Sequence, residues 1–391
     1  MSVLESFNLL KNYVEVEQYK GYDPYDTLNS RIPFHKLGNW CSVLATQFQK
    51  RNPINIRPLL GIKKEVNPKA YGLFLQSYSM LYKQTNNSEY LQKANYFYEY
   101  LKNNYSAGYS GYCWGYNFPW SSPGKFVEKS SPTAVASGFI VKGLFHYYQI
   151  NNNNEVLDVI SSAAEFVKKD LFITKMEEGV CISYTTKWPD YCFNASLLAA
   201  EILAINYKLT NDKESKNIVQ SVVKWILTNQ LSDGRWNYSI NRKTGIQREQ
   251  IDFHQGYILM SLNSIKKMLG LNNAFDIDNA IMKGLKYYFQ NQFYKNGISK
   301  WRLPKTMPID IHNQSQGIIT FCALSYYDEK YINFAKVILN WTINNMQDKF
   351  TGHFFYRINR THIHKTSYMR WSQAWLLLAF AYYFEMQKNI N

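Results

Sequence analysis

The sequence predicts an all-α fold: an (α/α)6 toroid, six helical hairpins in inner and outer rings, with minor β-hairpin pieces in the loops. Three observations predict it. First, one pattern recurs roughly every sixty residues, the period of a helical-hairpin repeat. Its copies are KAYGLFLQSYSMLY, VASGFIVKGLFHYY, FNASLLAAEILAINY, FHQGYILMSLNSI, QSQGIITFCALSYY and WSQAWLLLAFAYYF. Each turns on a small residue, Gly72, Gly138, Ser196, Gly256, Gly317 or Ala374, at separations of 66, 58, 60, 61 and 57. Second, one-sided amphipathic segments alternate with these copies. Third, the two kinds of connection between them differ greatly in length.

Taken in order, the six pivot segments are nearly apolar all round and read as buried, inner helices. The segments between them carry apolar residues at i, i+3, i+4 and i+7 and read as outer helices. They are EYLQKANYFYEYLKNNY, EVLDVISSAAEFVKKDL, ESKNIVQSVVKWILTNQ, NAIMKGLKYYFQNQF and YINFAKVILNWTINNM, with GNWCSVLATQF (Gly38–Phe48) as the sixth. Breaks such as TNNS, NNNN and TND supply Asn, Ser and Asp to cap the following helix. WNYSI and HFFYRI read as short hairpin pieces. Six hairpins are enough to close a ring and so remove the exposed ends of an open array. No linker interrupts the pattern, so residues 1–391 read as one toroid domain.

Composition narrows the function. The chain has 391 residues and a net charge of +15, with 32 Tyr, 23 Phe and 10 Trp. A basic surface favours an anionic partner: nucleic acid, a phosphate-bearing membrane or an acidic polysaccharide. The outer helices are mixed in charge and none presents a basic recognition face, which argues against nucleic acid. The N-terminal residues lack a basic start followed by an apolar run, and no window is long enough for a transmembrane segment. Five scattered cysteines fit a reducing, cytoplasmic setting.

The long connections all lead into inner helices: Tyr105–Ser130, Leu171–Asp190, Leu231–Asp252, Tyr294–Ile311 and Asp348–Arg370. Loops of this length are uncommon unless functional. In a toroid they share the face where the inner helices begin, with its positive helix ends. The last three hold thirteen basic residues against five acidic ones. Aromatic residues crowd the same loops, as in GYCWGYNFPW, DGRWNYSI and SKWRLP. Such a cup suits an anionic oligosaccharide or polysaccharide, with rings stacking on sugar faces and Arg forking onto acidic groups. Trp114, Trp120, Asp190, Tyr191, Trp301, Arg302, Arg370 and Trp371 are the expected substrate-binding residues. Trp236 reads instead as a structural tie between hairpins, together with Gln230.

Asp252/His254 and Asp310/His312 repeat an acid–x–His arrangement on neighbouring hairpins. These four are the candidate catalytic residues. Asp252 also suits a helix cap. A pair of carboxylates would serve a glycosidase, while a His, Tyr and Arg set would serve a lyase or epimerase. Asp190 and Cys192 with a His could in principle bind zinc, but Cys192 reads as a buried apolar residue, and neither a metal nor a cofactor is expected.

The whole chain resembles the six-hairpin glycosidase-like toroids. NQLSDGRW is similar to the Gln–Trp repeats of the branch holding terpene cyclases and prenyltransferases. GYDPYD, INIRPLLGI, NPKAYG, GYCWGYNFPW, IDFHQGYIL, IDIHNQSQGI and RWSQAW together resemble a bacterial family of surface-polysaccharide gene clusters. That family often carries the label delta-aminolevulinic acid dehydratase, a β/α barrel that this helical pattern does not support. The resemblance implies a carbohydrate-active protein of polysaccharide biosynthesis or processing: a hydrolase, lyase or epimerase. The alternatives are a non-catalytic glycan-binding or scaffold protein and a prenyl-group enzyme.

Overall fold

Three of the inner helices pass to their outer partners through a turn that two residues specify. At Asn86–Asn87, Asn152–Asn153 and Asn211–Asp212, the first residue takes a left-handed conformation (φ 56°, 49° and 60°) and ends the inner helix. The second caps the outer helix, its side-chain oxygen accepting from Glu89, Glu155 or Glu214 N–H. Asn and Asp tolerate both roles because a short polar side chain can bond the local backbone. The expected caps in TNNS, NNNN and TND are these residues.

The computed structural model describes residues 1–271 and 275–390. The inner helices are α3 (Pro68–Thr85), α5 (Ala134–Asn151), α7 (Phe193–Thr210), α9 (His254–Leu269), α11 (Ile311–Ala323) and α13 (Ala374–Ile390). The outer helices are α4 (Ser88–Asn103), α6 (Asn154–Asp170), α8 (Lys213–Thr228), α10 (Phe275–Asn291), α12 (Lys330–Met346) and α1 (Val3–Val16). Each inner helix packs on the next, and α13 packs back on α3. A small cavity of about 20 Å³ lies among them, and all six inner helices line it, through Gln76, Phe139, Leu198, Tyr257, Ile319 and Leu378. The fold is a closed (α/α)6 toroid.

Closure corrects one expectation. The sixth outer helix is α1, not Gly38–Phe48. Gln230, after α8, donates to Gly234 O in its own turn (2.8 Å) and to Ala280 O in α10 (2.9 Å). Gln347, after α12, repeats this with Gly352 O (2.9 Å) and Ser6 O in α1 (3.0 Å). Glycine is required at both turns. Gly234 and Gly352 have φ of 98° and 84°, and a Cβ there would lie 2.5 Å from Lys283 O or 2.3 Å from Leu9 O. The segment read as an outer helix is instead α2 (Asn39–Arg51), which packs on the hairpin Trp120–Ser122/Lys125–Val127 and on the short turns Asp26–Asn29 and Phe34–Leu37. Its amphipathic spacing was a true signal. The polarity of that spacing is inverted, since Ser42, Thr46 and Gln49 are buried while Trp40, Leu44 and Phe48 are exposed.

The long loops pair edge to edge around one face. Thr133 bridges Thr185, Tyr191 pairs with Ile240, Ile251 bridges Leu303, Ile309 pairs with Ile358, and Tyr22 bridges Tyr368. Asn29 Nδ2 donates to Asn117 O and closes the circle. WNYSI and HFFYRI do supply hairpin strands, Ser239–Ile240 and Arg357–Ile358. No described helix is long and apolar enough to cross a membrane.

Candidate active site

The pairing of the loops decides which side chains meet over the inner-helix N-termini. The bridge between Ile251 and Leu303 brings Arg302 beside Asp252, with Nε 3.5 Å from Oδ2. Gln250 Nε2 donates to the same oxygen at 3.0 Å. The other oxygen, Oδ1, meets His254 Nδ1 at 2.5 Å. Burial pushes the Asp252 carboxyl up. The His254 ring, Arg302 and the His254 N–H more than offset this and hold it below the usual carboxylate range. An ionised Asp252 therefore accepts the Nδ1 proton and fixes the ring. His254 Nε2 has no protein partner among the described residues, and the side chain keeps 13% of its exposure. Phe253 and Tyr238 flank it, with ring centroids 4.2 and 4.8 Å away.

Asp310 and His312 are built differently. Asp310 is the N-cap of α11 and accepts the His312 main-chain N–H at 2.9 Å. Its cross-strand neighbour Arg357 donates Nε to Oδ2 at 2.6 Å, and Trp371 Nε1 donates to Oδ1 at 2.9 Å. The His312 ring turns away from this carboxylate. Nδ1 lies 3.3 Å from Trp371 O, which can only accept, so Nδ1 carries the proton. Nε2 then accepts from Tyr257 O–H at 2.5 Å. Burial, then the charges of Lys69 and Arg370, drive the His312 value well below normal. His312 is a neutral, fully buried ring beneath Phe253 (4.3 Å) and Trp371 (4.5 Å).

The two motifs differ because their helices start in different places. α9 begins at His254, with Phe253 before it in helical conformation (φ −53°, ψ −17°). Asp252 therefore stands outside the first turn, where it accepts the His254 N–H at 3.2 Å, and Asn313 Oδ1 accepts the Phe253 N–H at 3.0 Å. α11 begins at Ile311, so Asp310 is itself the cap.

The remaining expected residues divide. Trp120 and Trp301 are half-buried on the loop face, Trp120 against Tyr184 (6.1 Å) and Trp301 below the guanidinium of Arg302 (5.2 Å). Asp190 and Tyr191 lie at the edge of the second loop. Asp190 accepts the Tyr184 N–H at 3.0 Å, and burial raises its carboxyl. Trp371 is buried and serves Asp310. Trp114 does not reach the cup: it is 0% exposed, and its Nε1 donates to Leu101 O of α4 at 3.0 Å. Trp236 makes the same tie, to Ile226 O of α8 at 2.9 Å. Arg370, in a π-helical turn (Met369–Gln373) ahead of α13, is not available to a ligand either. It forks onto Asp23, Nε to Oδ2 at 2.6 Å and Nη2 to Oδ1 at 2.7 Å. Both residues are buried, so its charge is already neutralised.

The sequence reading missed Tyr25, Lys50, Tyr116, Phe253 and Tyr257. Tyr25 stands 5.7 Å from Trp371, and Lys50 Nζ lies 3.8 Å above the Tyr25 ring. Tyr116 lies under the Arg370 guanidinium (5.1 Å). Tyr257, one residue past the Gly256 pivot, looked like core, and only its tie to His312 distinguishes it. Zinc does not suit Cys192: burial pushes its thiol up to about 12, and Sγ donates to Asn194 Oδ1. No cluster of three or more His, Cys, Asp or Glu forms among the described residues.

No protein-family model matches the chain, and no curated protein is similar to it in sequence. Solved structures do share its architecture. Cellobiose 2-epimerase from Bacillus thermoamylovorans is 16% identical, with a TM-score of 0.66 over 83% of this chain and 88% of its own. A GH76 α-mannanase from Bacteroides thetaiotaomicron is 13% identical, with a TM-score of 0.65 over 85% and 90%. An unsaturated glucuronyl hydrolase specific for heparin is 13% identical, with a TM-score of 0.60 over 83% and 88%. The likeness establishes the (α/α)6 toroid fold.

Proposed function

We propose that the protein is a carbohydrate-active enzyme that transfers a proton on an acidic sugar, as an epimerase, isomerase or lyase does. His254 is its acid–base residue and Asp252 the residue that orients it. The observation that carries this reading is the Asp252 Oδ1–His254 Nδ1 bond, which leaves Nε2 unpartnered on the loop face. A base needs an accessible lone pair and a fixed tautomer, and this pair supplies both.

Two-carboxylate hydrolysis is the weaker reading. It needs one protonated and one ionised acid. Asp252 lies below the usual range, and Asp310 is bound by Arg357 and the Trp371 N–H. The similar solved enzymes include both epimerases and hydrolases, so the choice rests on the site. Arg302, with 38% of its side chain exposed, supports an acidic substrate, and Trp120 and Trp301 supply ring faces for stacking. All five cysteines are free thiols, which supports the cytoplasmic setting expected from the sequence.

The test is solvent-deuterium wash-in. Acidic mono- and oligosaccharides incubated with the protein in D2O gain deuterium at the carbon beside a carbonyl or carboxylate. His254→Asn abolishes the gain without lowering Tm. Release of reducing ends with neither wash-in nor the unsaturated uronate that β-elimination leaves, or full wash-in by His254→Asn, overturns the reading.

A further inference from the structure

Helix α2 carries its polarity inside out. Its buried side holds Ser42, Thr46 and Gln49, and the Gln49 amide is 2% exposed with neither polar atom hydrogen-bonded. Its outer side holds Trp40, Leu44 and Phe48, exposed by 66%, 65% and 64%. Their i, i+4, i+8 spacing puts three large apolar side chains in one stripe along the helix. Leu37 extends the stripe at one end, and Ile54 and Leu59 lie exposed on the segment that follows. An exposed apolar stripe of this size on a surface helix calls for a partner.

Charge selects the partner. From Thr27 to Lys64 the chain has seven Lys and Arg and not one Asp or Glu. Arg57 is spent on Asp26, and Lys64 on Glu17. Arg31, Lys36, Arg51 and Lys63 are exposed, with no carboxylate at ion-pair distance among the described residues. A second copy of this +15 chain would bring two acid-free basic segments face to face. An anionic lipid surface complements both features, as Trp, Leu and Phe enter the headgroup boundary and the flanking cations meet lipid phosphates.

We propose that α2 is a peripheral membrane-docking helix that seats the protein on an anionic bilayer through Trp40, Leu44 and Phe48. The same helix edges the cup through Lys50, whose Nζ lies over the Tyr25 ring, so docking brings that edge to the lipid.

The experiment is sedimentation of the full chain with phosphatidylglycerol/phosphatidylcholine vesicles, pure phosphatidylcholine vesicles serving as the comparison. Binding to the anionic vesicles is expected, weakened by salt and reduced about tenfold or more in Leu44→Glu/Phe48→Glu. Because these side chains are exposed, Tm is unchanged. Brominated lipid quenches the wild type more than Trp40→Phe. Three results overturn the proposal: no binding to anionic vesicles, binding that the double variant retains, or a concentration-dependent dimer that the double variant abolishes in place of vesicle binding. Equal affinity of both forms for a soluble polyanion, with no vesicle binding, assigns the patch to charge alone and also overturns it.

Discussion

The Asp252 carboxylate holds the His254 ring at 2.5 Å, Oδ1 to Nδ1, although the two residues are only two apart in the chain. Asp310 and His312 have the same spacing, and both carboxylates accept the main-chain N–H two residues on, yet the His312 ring turns to Trp371 O and Tyr257 instead of to Asp310. Asp252→Asn keeps the volume and the Gln250 side of the site but removes the acceptor that fixes the tautomer. It is expected to lower kcat about 10²–10⁴-fold with little change in KM or Tm. A variant with unchanged kcat in the wash-in assay would mean that the dyad only caps α9.

The contrast shows how much of the site was legible. Aligning the repeats on their pivots places Asp252 four residues before Gly256, and Asn313 four before Gly317. The shared acid–x–His spacing read as a repeat, but the two motifs sit at different offsets from their pivots, and the structure uses them differently. The ring, its period and its two-residue turns were legible because buried helices and capping residues leave periodic marks. The role of α2 was hidden, since an apolar face at helical spacing looks the same whether it faces a core or solvent. Arg370 was hidden for another reason: its partner Asp23 is 347 residues away, and only ring closure brings the two together.

Trp114 and Trp120 separate packing from binding. Trp114→Phe loses a buried indole tie to Leu101 O, at about 1–3 kcal/mol, and is expected to lower Tm while KM for an acidic substrate stays unchanged. Trp120→Ala removes a half-buried ring, and the opposite pattern is expected: raised KM and near-normal Tm. Thermal melts and steady-state kinetics on the two variants check this, and a KM effect confined to Trp114 would reverse the assignment.

Arg302 and Arg370 divide in the same way. Removing Arg370 leaves Asp23 buried and unpaired, so Arg370→Ala is expected to destabilise by about 3–5 kcal/mol. Arg302 has 38% of its side chain exposed, and Arg302→Ala is expected to raise KM for acidic sugars several-fold at nearly constant stability. Urea melts beside kinetics with charged and neutral substrate analogues distinguish the two. A KM effect equal for both analogues would remove Arg302 from recognition of the acidic group.

Lys69 and His312 give the protein an acid-sensitive floor. Lys69 Nζ lies 4.2 Å from the Phe139 centroid and 5.4 Å from that of Trp375, with no ion pair among the described residues. Burial, then the charge of Arg370, lowers its value well below the ordinary 10.5, and His312 is driven well below 6.5. Both are bases depressed by folding, so the unfolded chain binds more protons. Their stabilising term is complete above those ordinary values and is lost as pH falls through the window beneath each. Lys69→Met fills the same space without an amine to desolvate. It is expected to raise stability at neutral pH by about 1–3 kcal/mol. His312→Gln should lower Tm at neutral pH, because the Tyr257 bond is disturbed, yet flatten the fall in Tm below pH 6.5. Melting curves of the three proteins across acid and neutral pH check both. A Lys69→Met variant less stable at every pH would show that the buried amine is bonded and charged, and that the floor is held together by it.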